Sequence, residues 1–133
     1  MINNITPLEE IDKEINLFQE LLTTTPSEEI IEIENRGNDL INYLARSSKL
    51  LADVKYLRDE KLNSEFVDEM KAILELSPSV ANKYINTICK VENMYINRLT
   101  EQRKDMEKAF EWNRSLYSKL KEEFKYNHFN SNR

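Results

Sequence analysis

From Ser79 onward the chain contains no glycine and no proline, so no residue in this stretch favours a turn. The whole chain has one glycine and three prolines, whereas average usage is roughly 7% and 5%. Glu, Lys, Leu and Ile dominate the composition, which favours long helices over strands. We therefore expect an all-α protein. The stretch after Ser77-Pro78-Ser79 is predicted to be one long helix or two collinear helices.

Apolar residues recur at spacings of three and four along the chain, as they do on one face of an α-helix. Thr6-Pro7-Leu8-Glu9 is a helix start with a capping box, and Thr25-Pro26-Ser27-Glu28 repeats it. The apolar stripe loses its phase near Lys61-Leu62-Asn63-Ser64. The predicted segments are a helix over 6–24, a long helix over 26–76 with a break near 61–64, a long helix over 78–126, and a frayed tail over 127–133.

The fold predicted from these segments is a single domain over residues 1–133. Its two long helices form an elongated antiparallel hairpin with coiled-coil-like packing, and the N-terminal helix packs along it. Gly37 and Ser47 fall on the apolar stripe of the second helix. Either these small residues let another helix come close, or they are simple gaps in the apolar pattern.

Residues that carry common enzyme chemistry are scarce. Cys89 is the only cysteine and His128 the only histidine, and no HExxH, CxxC or Glu-x-x-His pattern occurs. A single glycine is too few for a phosphate-binding glycine loop. We expect no enzyme activity, no cofactor and no metal, and we give a Cys89–His128 nucleophile pair little weight.

The N-terminus lacks the basic and apolar regions of a signal peptide, and no apolar run reaches 18 residues. A lone cysteine excludes an intrachain disulfide and fits a reducing compartment. A cytoplasmic protein without membrane contact is expected.

Charge is distributed unevenly along the chain. Residues 1–39 contain ten acidic and two basic side chains, and residues 40–133 contain 14 acidic and 17 basic ones. Solvated helix faces explain this distribution, or else the acidic segment covers a basic surface or a basic partner. The acidic residues that would bind such a partner are Glu28, Glu29, Glu32 and Glu34.

A basic cluster on the second helix includes Arg46, Lys49, Lys55, Arg58 and Lys61. Lysines and arginines along a helix can follow a nucleic-acid backbone. Tyr56 lies among them and either stacks on a base or lies flat on the helix surface.

Trp112 falls off the core stripe of the third helix, close in angle to Met94 and Leu116. A tryptophan is costly to leave in water. Either the N-terminal helix covers this second stripe, or another subunit does, which would make the chain a homo-oligomer.

The segments Asn42–Leu51, Ile88–Glu92 and Leu116–Glu123 lie on the two predicted long helices. In these segments and in its helix layout, the chain resembles small phage recombination accessory proteins, among them the UvsY-type recombination mediators, over about residues 38–126. If a phage encodes it, the chain would lie in the host cytoplasm.

The resemblance implies an oligomeric protein that binds single-stranded DNA and helps to load a recombinase. Under it, the basic cluster provides the DNA contacts, with Tyr56 as a stacking residue. The alternative function is a protein-binding module, such as a phage inhibitor of a host or defence protein, or a structural phage component. It would act through the acidic segment and the apolar helix face.

Overall fold

The computed structural model describes residues 4–64, 68, 72, 75 and 77–131, with all of their side chains except those of 81 and 128–131. All regular structure in these residues is helical, which confirms the predicted all-α fold. The continuous helices are α1 (Leu8–Thr23), α2 (Ile30–Leu62), α3 (Pro78–Ile88) and α4 (Lys90–Ser131).

The two long helices α2 and α4 pack against each other in opposite directions. Near the start of α2, the carbonyl of Ile33 accepts a 2.8 Å hydrogen bond from Asn113 in the second half of α4. At the end of α2, Lys61 lies 2.7 Å from Glu92 in the first turn of α4. The predicted antiparallel hairpin is therefore confirmed.

Helix α1 lies along this hairpin, antiparallel to α2 and parallel to α4. It runs antiparallel to α2 because Glu14 bonds to Arg46 while Phe18, one turn later, packs on Tyr43, with ring centroids 4.8 Å apart. Its apolar stripe closes the core between the three helices. The fully buried core side chains are Ile11, Ile15, Phe18, Leu40, Leu50, Val54, Leu99 and Met106. Each such burial contributes about 1.5–3 kcal/mol.

The predicted cap of α1 is wrong, because Thr6 is bound to α2 instead. Helix α1 begins at Leu8 after Pro7, and no side chain caps it. The Thr6 N–H donates to Oδ2 of Asp53 at 3.0 Å, and its hydroxyl accepts from Arg46 at 3.3 Å. These long-range bonds replace the local capping box.

Helix α2 begins at Ile30 and not at Pro26. The Ser27 hydroxyl accepts a 3.1 Å bond from the N–H of Glu29, and such local side-chain bonds compete with helix formation. Arg36 also bonds to the Thr24 carbonyl at 3.3 Å, which holds the connecting segment against α2.

Helix α2 ends at Leu62, within the segment where its apolar stripe loses phase. The described residues beyond it, Asp68, Ala72 and Glu75, are helical. Phe66, Met70, Ile73 and Leu76 of the predicted 26–76 helix lie outside the described residues.

The stretch from Pro78 is two helices, separated at Cys89 (φ −94°, ψ 19°). Hydrogen bonds span this break, since the N–H of Cys89 donates to Ile85 at 3.0 Å and that of Asn93 donates to Cys89 at 2.8 Å. The backbone of the predicted tail is helical as far as Ser131, so α4 is longer than the expected limit of 126.

Candidate functional site

Five of the six residues predicted to contact DNA are bonded to acidic side chains. Arg46 donates to both carboxylate oxygens of Glu14 on α1, at 2.6 and 2.9 Å. The hydrogen bond to Glu14 raises the pKa of Arg46 above its ordinary value. Arg46 therefore joins α1 to α2 and has little capacity left for a DNA phosphate.

Lys49 holds the N-terminal segment onto α2. Its ammonium lies 2.6 Å from both carboxylate oxygens of Asp53 and 2.6 Å from the carbonyl of Asn4. Burial acts to raise the pKa of Asp53, but the bonds from Lys49 and Thr6 outweigh it and the pKa is lowered. The buried carboxylate is thus fully paired.

Lys61 ties the end of α2 to the α3–α4 junction. Its ammonium donates to Glu92 at 2.7 Å and to the Ile88 carbonyl at 2.9 Å. Glu92 is only 3% exposed, so Lys61 neutralises a carboxylate that would otherwise be buried without a partner. The ion pair provides a structural role for Lys61.

The remaining basic-cluster residues lie on the outside of α2. Arg58 is 3.4 Å from the exposed carboxylate of Asp59. The Tyr56 hydroxyl donates to Glu60 one turn later at 3.2 Å, so the ring lies along its own helix, and this bond raises the pKa of Tyr56. Lys55 is exposed, and it is the one residue of the six without a hydrogen bond or ion pair to the described part of the chain.

The acidic residues proposed for partner binding are all exposed around the start of α2. Glu28 and Glu29 precede the helix, and Glu32 lies in its first turn. Negative charge is favoured there by the unpaired N–H groups of the first helical turn. The position thus gives Glu28, Glu29 and Glu32 a stabilising role within the fold, in addition to any binding role.

Trp112 projects into solvent from the outer side of α4. Its side chain is 68% exposed, so the alternative in which α1 covers it is wrong. The surface around it is a shallow pocket of about 210 Å³ lined by Trp112, Ser115, Leu116 and Lys119. Leu120, one turn after Leu116, is also partly exposed. We call the row Trp112, Leu116 and Leu120 the Trp112 surface.

Met94 does not belong to the Trp112 surface. It is 46% exposed on the same side of α4, but 18 residues of helix, about 27 Å, separate it from Trp112. Arg98, Glu101 and Asp105 lie between them, and Arg98 forms an ion pair with Asp12 of α1. The angle around the helix axis therefore groups Met94 with Trp112, although the length of the helix separates them.

The described residues contain no cluster of three or more acidic, cysteine or histidine residues able to hold a metal ion. Cys89 is 1% exposed, and burial raises the pKa of its thiol. Lys90 and His128 lie 38 residues apart on α4, a span of about 57 Å, so Cys89 and His128 cannot react with each other within one chain.

The burial of four polar residues does not follow from the sequence pattern. Gln102 donates to the Ile15 carbonyl at 2.9 Å, and Asn113 donates to Ile33 at 2.8 Å. Asp53 and Glu92 are the buried partners of two lysines. Only the Lys49–Asp53 pair had a local signal, namely its four-residue spacing.

Comparison with protein-family models, curated proteins and solved structures finds no match to this chain. In the part of the chain that the structure describes, no helix is both long enough and apolar enough to cross a bilayer.

Proposed function

We propose that this chain is a non-enzymatic helical binding module that recognises another protein chain through the Trp112 surface. The observation that carries the proposal is the exposure of Trp112, 68%, beside the partly exposed Leu116. Tryptophan is enriched among the residues that dominate binding energy at protein interfaces, because it buries a large area with few rotatable bonds.

The helical scaffold suits this role. Helices α1 and α2 bury the other face of α4 at Leu99 and Met106, which fixes the orientation of the Trp112 side. A preorganised surface binds at a lower entropic cost than one that must first become ordered. The acidic residues around the start of α2 give the same module a second surface, of opposite character, for a basic partner.

The expected role in DNA recombination, with single-stranded DNA and a recombinase as partners, stays a prediction. It depends on the resemblance of helix layout and on the basic cluster. Within that cluster, Lys55 is exposed and is available to a phosphate.

Affinity capture with matched variants tests the proposal. The wild-type chain, Trp112→Asp and Val80→Asp are immobilised and exposed to lysate of the source organism or its host. Val80 is a suitable control because it is 55% exposed and lies on α3, away from the Trp112 surface. Proteins retained by the wild type and by Val80→Asp but lost with Trp112→Asp support the proposal. Identical sets of proteins on all three would contradict it.

A further variant separates the two surfaces. Charge reversal at the acidic residues is expected to leave Trp112-dependent partners in place. The substitutions are Glu28→Lys, Glu29→Lys, Glu32→Lys and Glu34→Lys. Loss of the same partners in both variants would mean that the two surfaces act as one.

A further inference from the structure

Helix α1 packs on α4 along a line of residues spaced seven apart, which we call the seam. The Tyr95 hydroxyl donates to Asp12 at 3.2 Å, and Gln102 donates to the Ile15 carbonyl at 2.9 Å. Residues seven apart lie on nearly the same side of a helix. Ala109 and Leu116 continue this series, so the seam continues along α4 beyond Gln102.

The seam is longer than the helix that fills it. The Nε2 of Gln102 donates to Oε1 of Gln19 at 3.3 Å. Helix α1 ends four residues after Gln19, at Thr23. Because α1 and α4 run parallel, α1 ends about one turn after Gln102. Helix α4 continues to Ser131, so Leu116 lies more than two turns past the end of α1.

Helix α2 packs on the Asn113 face of α4 and therefore does not cover Trp112, which is 68% exposed. It pairs through Ile33 with Asn113, and it begins at Ile30, three residues earlier in the antiparallel direction. The N-terminal end of α2 therefore lies near Leu116. Beyond this point every residue of 121–127 is exposed. The Trp112 surface thus adjoins, at Leu116, the unfilled end of the seam that α1 occupies.

We infer that a second copy of this chain fills the seam, with the two α4 helices antiparallel across a two-fold axis near Leu116. This inference rests on the proposed function and names the partner. A two-fold interface needs a surface that is complementary to itself. The row provides one, because the axis sets Trp112 of each copy against Leu120 of the other and Leu116 against Leu116.

The charges that flank the row are compatible with this register. The same axis sets the charged Glu123 against the uncharged Ala109. In this register no two like charges beside the row face each other across the interface. Like charges in direct contact would weaken association. Trp112, exposed in the single chain, becomes buried at both ends of the interface.

Mass measurement by light scattering across a concentration series tests the interface. The wild type and Val80→Asp are expected to be dimers. Trp112→Asp and Leu116→Asp are expected to weaken the dimer at least about 30-fold, the size of a hot-spot loss. Circular dichroism checks that each variant is folded. A wild-type monomer at all concentrations overturns the inference, and so does a dimer that both substitutions leave unchanged.

Thiol cross-linking tests the direction of the helices. Ala109→Cys and Glu123→Cys leave the row intact, and the native Cys89 is buried, so the unchanged chain is the control. In the antiparallel dimer, a short bismaleimide links the two variants when they are mixed and links neither variant to itself. Links within each variant alone would show parallel helices and overturn the arrangement.

The two proposals fail separately. If the chain is monomeric but other proteins still depend on Trp112 for capture, the second-copy inference is wrong and the proposed function stands.

If the chain dimerises antiparallel through the row, the emission of Trp112, its only tryptophan, shifts to the blue as concentration rises. A spectrum that does not change across the dimerisation range overturns the arrangement.

Discussion

The ammonium of Lys61 lies 2.7 Å from Oε1 of Glu92 and joins the last turn of α2 to the first turn of α4. Glu92 is 3% exposed, whereas the side chain of Lys61 is 45% exposed. The lysine therefore stays in contact with water while it neutralises a carboxylate that has lost its hydration. Such an arrangement stabilises the fold mainly by preventing an unpaired buried charge.

Lys61→Ala is expected to lower the free energy of unfolding by about 1–3 kcal/mol, because it leaves Glu92 and the Ile88 carbonyl without this donor. Urea denaturation followed by circular dichroism measures the change. Arg58→Ala is the control, since its partner Asp59 is solvent-exposed, and it should cost less than about 0.5 kcal/mol. Equal losses in the two variants would contradict the structural role of Lys61.

The pKa of Asp53 predicts how stability depends on pH. This pKa lies below its ordinary value of 3.8, so the fold favours the ionised carboxylate. Its contribution is fully present above about pH 3.8 and is lost as the pH falls through the lower native pKa. Wild-type stability should therefore fall across this acidic range.

Asp53→Asn is expected to remove that part of the pH dependence and to cost about 1–3 kcal/mol at neutral pH, since Lys49 loses its charged partner. Chemical denaturation at pH values from about 2 to about 7 measures this pH dependence, because carboxylates titrate within that range. The exposed Asp105 supplies the control, because Asp105→Asn should keep the wild-type pH profile. An unchanged acid slope in Asp53→Asn would exclude the assigned pairing.

The sequence predicts those parts of the fold that depend on local periodicity. Ile11, Ile15 and Phe18 recur at helical spacing, and all three are buried as expected. The partners of the basic cluster escape prediction, because Arg46–Glu14 and Lys61–Glu92 join residues 32 and 31 positions apart. Side-chain spacing within one helix carries no information about such pairs.

The position of Trp112 shows the same limit. The sequence places it off the core stripe, and the structure agrees. What covers that side of α4 depends on where α1 ends relative to Gln102, which is a matter of three-dimensional register. Helix α2 begins later than predicted for a different, local reason, because the bond from the N–H of Glu29 to the hydroxyl of Ser27 competes with the predicted cap.

Gly37 and Asn113 are predicted to be energetically coupled. A Cβ atom at Gly37 would lie 3.1 Å from Nδ2 of Asn113, which is 5% exposed and donates to the Ile33 carbonyl. Alanine gains about 0.5–1 kcal/mol over glycine inside a helix. Gly37→Ala should nevertheless lower stability, because the buried amide has to move.

The same substitution should stabilise the Asn113→Ala background by about 0.5–1 kcal/mol, since the obstacle is gone. A double-mutant cycle in urea measures the coupling. Asn38→Ala, at the exposed neighbouring position, reports helix propensity alone. Additive effects of Gly37→Ala and Asn113→Ala would show that the close approach has no energetic consequence.

The DNA-binding hypothesis is tested by charge at Lys55. We expect the wild type to retain little single-stranded DNA in a gel shift, because Arg46, Lys49 and Lys61 are already paired with carboxylates. Phosphate contacts strengthen as salt falls, so the assay is run across a salt series. Strong binding at low salt that Lys55→Glu removes would restore the basic cluster as a DNA site.

A complementary test frees Arg46 from its ion pair with Glu14 and measures DNA binding. Glu14→Gln replaces the charged partner of Arg46 with a neutral amide of nearly the same shape, and the side chain of Arg46 is already 40% exposed. If pairing is what limits DNA binding, this variant should bind more tightly than the wild type at low salt and should show a steeper salt dependence. Glu107→Gln, which loosens the exposed Arg103 pair on α4, is the matched control and should change neither quantity. Equal behaviour of the two variants would mean that ion pairing within α1 and α2 does not govern contact with DNA.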